Sequence, residues 1–214
     1  MIRRHSLLGA RIVAVAALLG LPSVGGAQSK FEVVPFLGLY IPTANVVEQV
    51  NASCACQVST RQKTNIDVGA RLAMWISDRL SLEGSIGYSP SGVTTTAALY
   101  GRADTSARVT TASARVLAAL GPRTLNRYVF VSGGIGLVVR GGDAWTGASG
   151  RTRFGGTLGV GMRFEVAPPL AVRAELDDWL YSAQFSSAST PQTQSKFQSD
   201  LVLSLGLAVP IGGP

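Results

Sequence analysis

Residues 80–89 read LSLEGSIGYS, and their alternation decides the fold. Leu80, Leu82, Ile86 and Tyr88 fall on one face of an extended chain; Ser81, Glu83, Ser85 and Gly87 fall on the other. Period two is the signature of a strand with two unlike faces. The split recurs near the C-terminus, where Leu201, Leu203, Leu205, Leu207, Val209 and Ile211 oppose Val202, Ser204, Gly206 and Ala208. Between 152 and 166, Phe154, Leu158, Val160, Met162, Phe164 and Val166 oppose Gly155, Thr157, Gly159, Gly161, Arg163 and Glu165. Bulk gathers on one face; Gly, Ala, Ser, Thr and occasional charges gather on the other.

Outward from this stretch, eight segments share the pattern: 31–41, 63–76, 80–89, 107–120, 128–140, 152–166, 170–184 and 197–211. Most reach the ~9–11 residues with which a tilted strand crosses a bilayer. The connections alternate in length. Those at 77–79, 121–127 and 167–169 are short, and those at 42–62, 90–106, 141–151 and 185–196 are long. Short turns on one side and long loops on the other are the habit of outer-membrane barrels. The expectation is an all-β fold, an eight-stranded antiparallel up-and-down transmembrane β-barrel. Its termini and short turns would be periplasmic and its four long loops extracellular.

Size assigns the faces. Eight strands enclose room for side chains and little more, so small and polar residues belong inside and large apolar ones against lipid. The opposite assignment would give a soluble lipocalin-like binding barrel, apolar within. Charged residues make up 14% of the chain, and lysine occurs only at Lys30, Lys63 and Lys196. A water-facing exterior of that kind would lack the mixed charges that soluble surfaces carry.

The first residues read as a leader. Arg3, Arg4 and Arg11 precede the apolar run from Ile12 to Leu21, Pro22 breaks it, and Gly25 and Ala27 supply small residues before a cleavage point. This is the pattern of a secretory signal peptide over 1–27, and the run is too short for a membrane helix. One domain over 28–214 is expected to follow. The leader holds three arginines and no acid, so the formal charge of +7 falls to +4 on cleavage. So mild a balance gives no reason to expect nucleic acid as a partner.

Charges within the segments sit mainly on the polar face: Glu32, Asp67, Arg71, Glu83, Arg115, Arg163, Glu165, Arg173, Glu175 and Asp177. The cations are all arginine, whose planar fork suits carboxylates in a dry interior. Counting residues from the short-turn side brings Arg71, Glu83, Arg115, Arg163, Arg173 and Glu175 to similar depth. They are expected to form a lumen charge network, a salt-bridged core rather than a gate.

The sole histidine is His5, so a mature chain would have none for Ser-His catalysis or a His-metal site. No catalytic, metal or cofactor site is expected, nor enzymatic activity. Cys54-Ala55-Cys56, in the first long loop, is read as a local disulfide or two free thiols. Gly133-Gly134-Ile135-Gly136 and Gly155-Gly156 lie within strands and make weak phosphate motifs.

FEVVPFLGLYIP, RLSLEGSIGYSP, YVFVSGGIGLVV and LAVRAELDDWLYS, with the loop asymmetry, resemble the small eight-stranded outer-membrane barrels of the OmpA and OmpX type. The resemblance covers about 28–214 and carries no functional motif. The chain departs from it by ending Ile211-Gly212-Gly213-Pro214, where such barrels often end on an aromatic residue. The resemblance implies a bacterial outer-membrane location, lipid as the immediate partner, a single copy, and loops that meet an extracellular ligand. The role expected is structural or surface-interacting, with a narrow porin-like pore as the alternative.

Overall fold

The computed structural model describes residues 31–45, 47–51, 56–97, 101–148, 150–184 and 196–212. The leader at 1–27, Cys54 and the side chain of Cys56 lie outside what is described. Ten strands are present among these residues: β1 (Phe31–Pro42), β2 (Val47–Asn51), β3 (Cys56–Gln62), β4 (Asn65–Trp75), β5 (Leu80–Ala97), β6 (Gly101–Ala119), β7 (Arg127–Gly141), β8 (Thr152–Ala167), β9 (Leu170–Ala183) and β10 (Lys196–Ile211).

Eight of them close a ring. β1 pairs with β4, β4 with β5, and each later strand with the next until β10 returns to β1, every pair antiparallel. Cross-strand partners run from Glu32 through Ala73, Glu83, Arg115, Gly134, Thr157, Trp179 and Asp200 to Pro42. One circuit therefore ends ten residues further along β1, from Glu32 to Pro42. Such stagger is the geometric price of closure and tilts the strands by roughly 40°. Strands about 4.8 Å apart then enclose a ring about 16 Å across between backbones.

The outer face is apolar. Leu37, Ile86, Ile135, Phe154, Leu158, Leu203 and Leu205 all point out and are exposed, Phe154 by 79%. No edge is left in the ring, and the backbone groups are paired strand to strand, as a bilayer core requires. The band ends abruptly on β5 and β6. Below Tyr88 the outward residues of β5 are Ile86, Gly84, Leu82 and Leu80; above it they are Pro90, Gly92, Thr94 and Thr96. The lipocalin-like arrangement, apolar within and polar without, is thereby set aside.

Two stretches expected to be long loops are largely strand, because once β3 lies alongside β5 their backbone groups find ladder partners. The stretch 42–62 contains the hairpin β2–β3, and 90–106 continues β5 and β6 well past the apolar band. β3 then adds to β5 through Val58↔Ala97 to Gln62↔Val93, giving a sheet in the order β2-β3-β5-β6 beyond the barrel. A strand containing Pro90 is unusual, because proline cannot donate to a ladder. Pro90 lies between the β4 pairing, which ends at Tyr88, and the β3 pairing, which begins at Val93. Gly92, of the same parity, turns its carbonyl to Lys63 N at 2.8 Å, so the nitrogen of Pro90 faces the break between β3 and β4 and no ladder bond is lost. Ser89 and Ser91 hydroxyls donate there to the carbonyls of Ile66 and Lys63, each at 2.8 Å.

Candidate functional site

The lumen is filled in three layers, and the middle one is ionic. Arg71 comes from β4, Glu83 from β5, Arg115 from β6, and Arg173, Glu175 and Asp177 from β9. In the ring, β5 and β9 stand opposite one another, so these side chains span the full width. Arg115 donates to Glu83 Oε1 through Nε at 2.8 Å and Nη2 at 2.5 Å, and its Nη2 lies 2.7 Å from Glu175 Oε1. Arg115 Nη1 also reaches Asp177 Oδ1. From the far wall, Arg173 Nη1 meets Glu83 Oε2, and its Nη2 lies 2.8 Å from Glu175 Oε2. Arg71 completes the belt, with Nε 3.3 Å from Glu175 Oε2 and Nη2 donating to Asp177 Oδ2 at 3.1 Å and Ser204 Oγ at 2.8 Å.

Three cations thus meet three carboxylates with no formal excess. Their side chains are 0–5% exposed. The guanidinium faces are covered too. Arg71 lies over the Phe36 ring at 4.1 Å and Arg173 over Phe130 at 4.4 Å. Edges bonded to carboxylates and faces stacked on rings use the two surfaces that distinguish arginine from lysine.

Below the belt, toward the short turns, Trp75 and Tyr128 meet edge to face with centroids 6.2 Å apart, backed by Leu117 and Phe130. Arg163, expected in the belt, belongs to this lower layer. Its Nη2 lies 3.4 Å from Glu32 Oε2, and its guanidinium stands 5.8 Å from the centre of the Tyr128 ring. The reason is the tilt: residues at equal count from the short turns on β8 and β9 are not at equal height. Asp177 enters the belt in its place. Glu165 is half-exposed at the same end, and Asp67 is buried on β4 above Arg71.

Above the belt, Arg140 on β7 gathers a second polar centre. Its Nη2 donates to Asp200 Oδ2 at 3.0 Å and to Tyr181 OH, and its Nε donates to Gln62 Oε1 at 3.0 Å. Tyr40 and Tyr181 hydroxyls both donate to Asp200 Oδ2. Trp179, Val109, Val138, Val202 and Trp145 pack around this group. Sequence reading missed it because large residues were assigned to the outer face, whereas Tyr40, Trp179 and Tyr181 point inward. The signal present was the glycines. A Cβ on Gly136 would lie 2.6 Å from Trp179, and one on Gly161 would strike Phe130, so these positions are bare in order to seat rings.

On the opposite face, Asp178 is the one charged side chain within the apolar band among the described residues. It is flanked by Leu158 and Leu201 in register and accepts a hydrogen bond from Ser199 Oγ at 2.7 Å.

Among solved structures, the fold matches the outer membrane protein OprG of Pseudomonas aeruginosa, with a TM-score of 0.62 at 8% identity, over 88% of this chain and 100% of that one. It matches AlkL, determined in lipid bilayers, with a TM-score of 0.61 at 13% identity, over 91% and 96%. Neisserial surface protein A matches with a TM-score of 0.58 at 12% identity, over 87% and 100%. No curated protein matches in sequence. The family model for the outer membrane protein β-barrel domain matches residues 12–197. With an apolar outer band, a closed ring of tilted strands and that match over most of its length, the chain belongs to the outer membrane protein β-barrel domain family of the bacterial outer membrane.

Proposed function

We propose that this barrel is a closed structural and surface-interaction protein, an anchor that holds the β2-β3-β5-β6 sheet outside the cell, and not a pore. The observation that carries this reading is the belt, whose buried ion pairs reach across the lumen from β5 to β9. A solute-conducting lumen needs about twice as many strands. Residues 1–27 serve as a cleaved export signal, the short turns face the periplasm, and the barrel acts as a monomer without catalytic activity.

Conductance tests the reading. Purified protein in a planar bilayer should be electrically silent; reproducible unitary steps that change in Arg115→Ala would establish a narrow pore instead. Orientation is tested separately by labelling Gly147→Cys, in a Cys54→Ser/Cys56→Ser background, on intact cells with an impermeant maleimide. Labelling only after the outer membrane is broken would place the long loops inside. N-terminal sequencing of the mature protein should begin at Gln28.

A further inference from the structure

We propose that the outward face of β3, β5 and β6, which starts with Arg108 at the top of the apolar band and rises along the sheet to Arg102, binds the phosphate groups of the outer-leaflet glycolipid. The position follows from register. Tyr88 pairs with Thr110 at the top of the band, and the next outward pair is Pro90 with Arg108. Arg61 pairs with Thr94, Thr94 with Asp104, and Arg102 with Thr96, which puts these side chains on the same outward face. Lys63 joins them by crossing over Gly92, where the absence of a side chain lets its Cδ approach; its Nζ ends 2.8 Å from Asp104 Oδ2.

Four cations, Arg61, Lys63, Arg102 and Arg108, therefore stand on one exposed face. Among the described side chains two carboxylates oppose them. Asp104 is engaged by Lys63, by Thr94 Oγ1 at 2.6 Å and by Arg102 Nε at 3.5 Å, and Asp143 is engaged by Ser106 Oγ at 2.8 Å. Among the described residues no carboxylate pairs with Arg61 or Arg108. Arg108 lies flat over Gly141, a Cβ on which would come within 2.8 Å of its Nε. Among the described side chains this leaves an excess of two positive charges, with the guanidinium forks of Arg61 and Arg108 engaged by no described carboxylate and a row of hydroxyls, on a face that starts where acyl chains give way to headgroups. Arginine recognises phosphate with two parallel N–H bonds, and the face is continuous with the surface that lipid already covers. Its neighbour in the membrane is therefore a lipid with phosphate near the acyl boundary, rather than a soluble polyanion approaching from above.

The inference rests on the extracellular placement of the long loops, but binding in detergent does not depend on orientation, so its failure would strike this site alone. The measurement is retention of fluorescent lipid A by immobilised full-length protein in neutral detergent micelles. Lipid A bearing both phosphates should be retained, and retention should weaken as salt rises toward 0.5 M. Dephosphorylated lipid A should bind at least tenfold more weakly, and so should both forms to the Arg61→Gln/Arg102→Gln/Arg108→Gln protein. Heat-modifiable gel migration verifies that this variant is folded. If it is not, Asp104→Asn, which adds net positive charge while keeping an acceptor for Thr94, should tighten retention severalfold. Equal retention of the dephosphorylated lipid, unchanged retention by the triple variant, weaker retention by Asp104→Asn, or full displacement by a soluble sulfated polysaccharide at equimolar level would each overturn the assignment.

Discussion

Glu83 on β5 and Arg115 on β6 are direct cross-strand partners, and their side chains meet inside the barrel with Arg115 donating twice to Glu83 Oε1. Glu83 also holds Arg173 from the opposite wall. Glu83→Ala leaves three arginines facing two carboxylates in a dry layer. We expect a loss of about 3–5 kcal/mol in the free energy of unfolding, the usual cost of stranding a buried charge. Urea unfolding in lipid vesicles, followed by tryptophan fluorescence, gives the number. Glu83→Leu combined with Arg115→Leu should recover most of the loss; a double variant as unstable as the sum of its parts would show that the pair is not acting as a unit.

Arg140 ties the extension to the barrel, because Gln62 belongs to β3 while Asp200 and Tyr181 belong to β10 and β9. Arg140→Met should leave the ring closed and free β3. Limited proteolysis should then cut between β2 and β4 at least several times faster than in the parent, with heat-modifiable migration unchanged. Equal cleavage rates would mean that the β3–β5 pairing alone fixes the hairpin.

Asp178 faces lipid between Leu158 and Leu201, and Ser199 Oγ donates to it. A carboxylate on the lipid face of a barrel costs less than an arginine or lysine but more than leucine. Asp178→Leu should raise the unfolding free energy by about 1 kcal/mol in the same vesicle assay. A variant that loses stability would reveal a partner for Asp178 in the membrane.

Asp104 lies above the membrane, and the hydrogen bond from Lys63, then that from Thr94, holds its carboxyl at about 2, below the usual carboxylate range. A lowered folded value means that the contact favours the folded sheet at neutral pH. That contribution is present above about pH 4 and is lost as pH falls through about 2. Carbon-13 detection of the Asp104 carboxyl should show its midpoint there, and Lys63→Met should move it upward. A midpoint near 4 in the parent would sever the contact.

The alternation of small and large residues carried the ring of eight strands and the inward direction of Glu83 and Arg115, but not the upper ends of β5 and β6 or the hairpin β2–β3. What it could not carry was height and size. Height depends on stagger, which no single strand encodes, and so Arg163 was grouped with the belt while it sits with Glu32. Size misled at Tyr40 and Tyr181, which look like lipid-facing residues until the glycines across from such rings are recognised as their seats. Arg140 and Asp200 escaped because each lies near the upper end of its strand, away from the level at which the other charges gather. Gln62 escaped because one extra residue between β3 and β4 inverts the parity of the strand and turns it inward.

The belt also works as a caliper. Neighbouring strands cannot slip by one residue, since that would exchange lumen and lipid faces, so any error in closure must come in steps of two. A circuit closing on eight residues instead of ten would draw the walls together, and one closing on twelve would move them apart. Glu83 and Arg173 reach across the widest part of the ring, and Glu175 is held from both sides. A mis-staggered barrel would either crush these ions or leave them unmet in a dry interior, so the belt favours the closure that steps ten residues along β1.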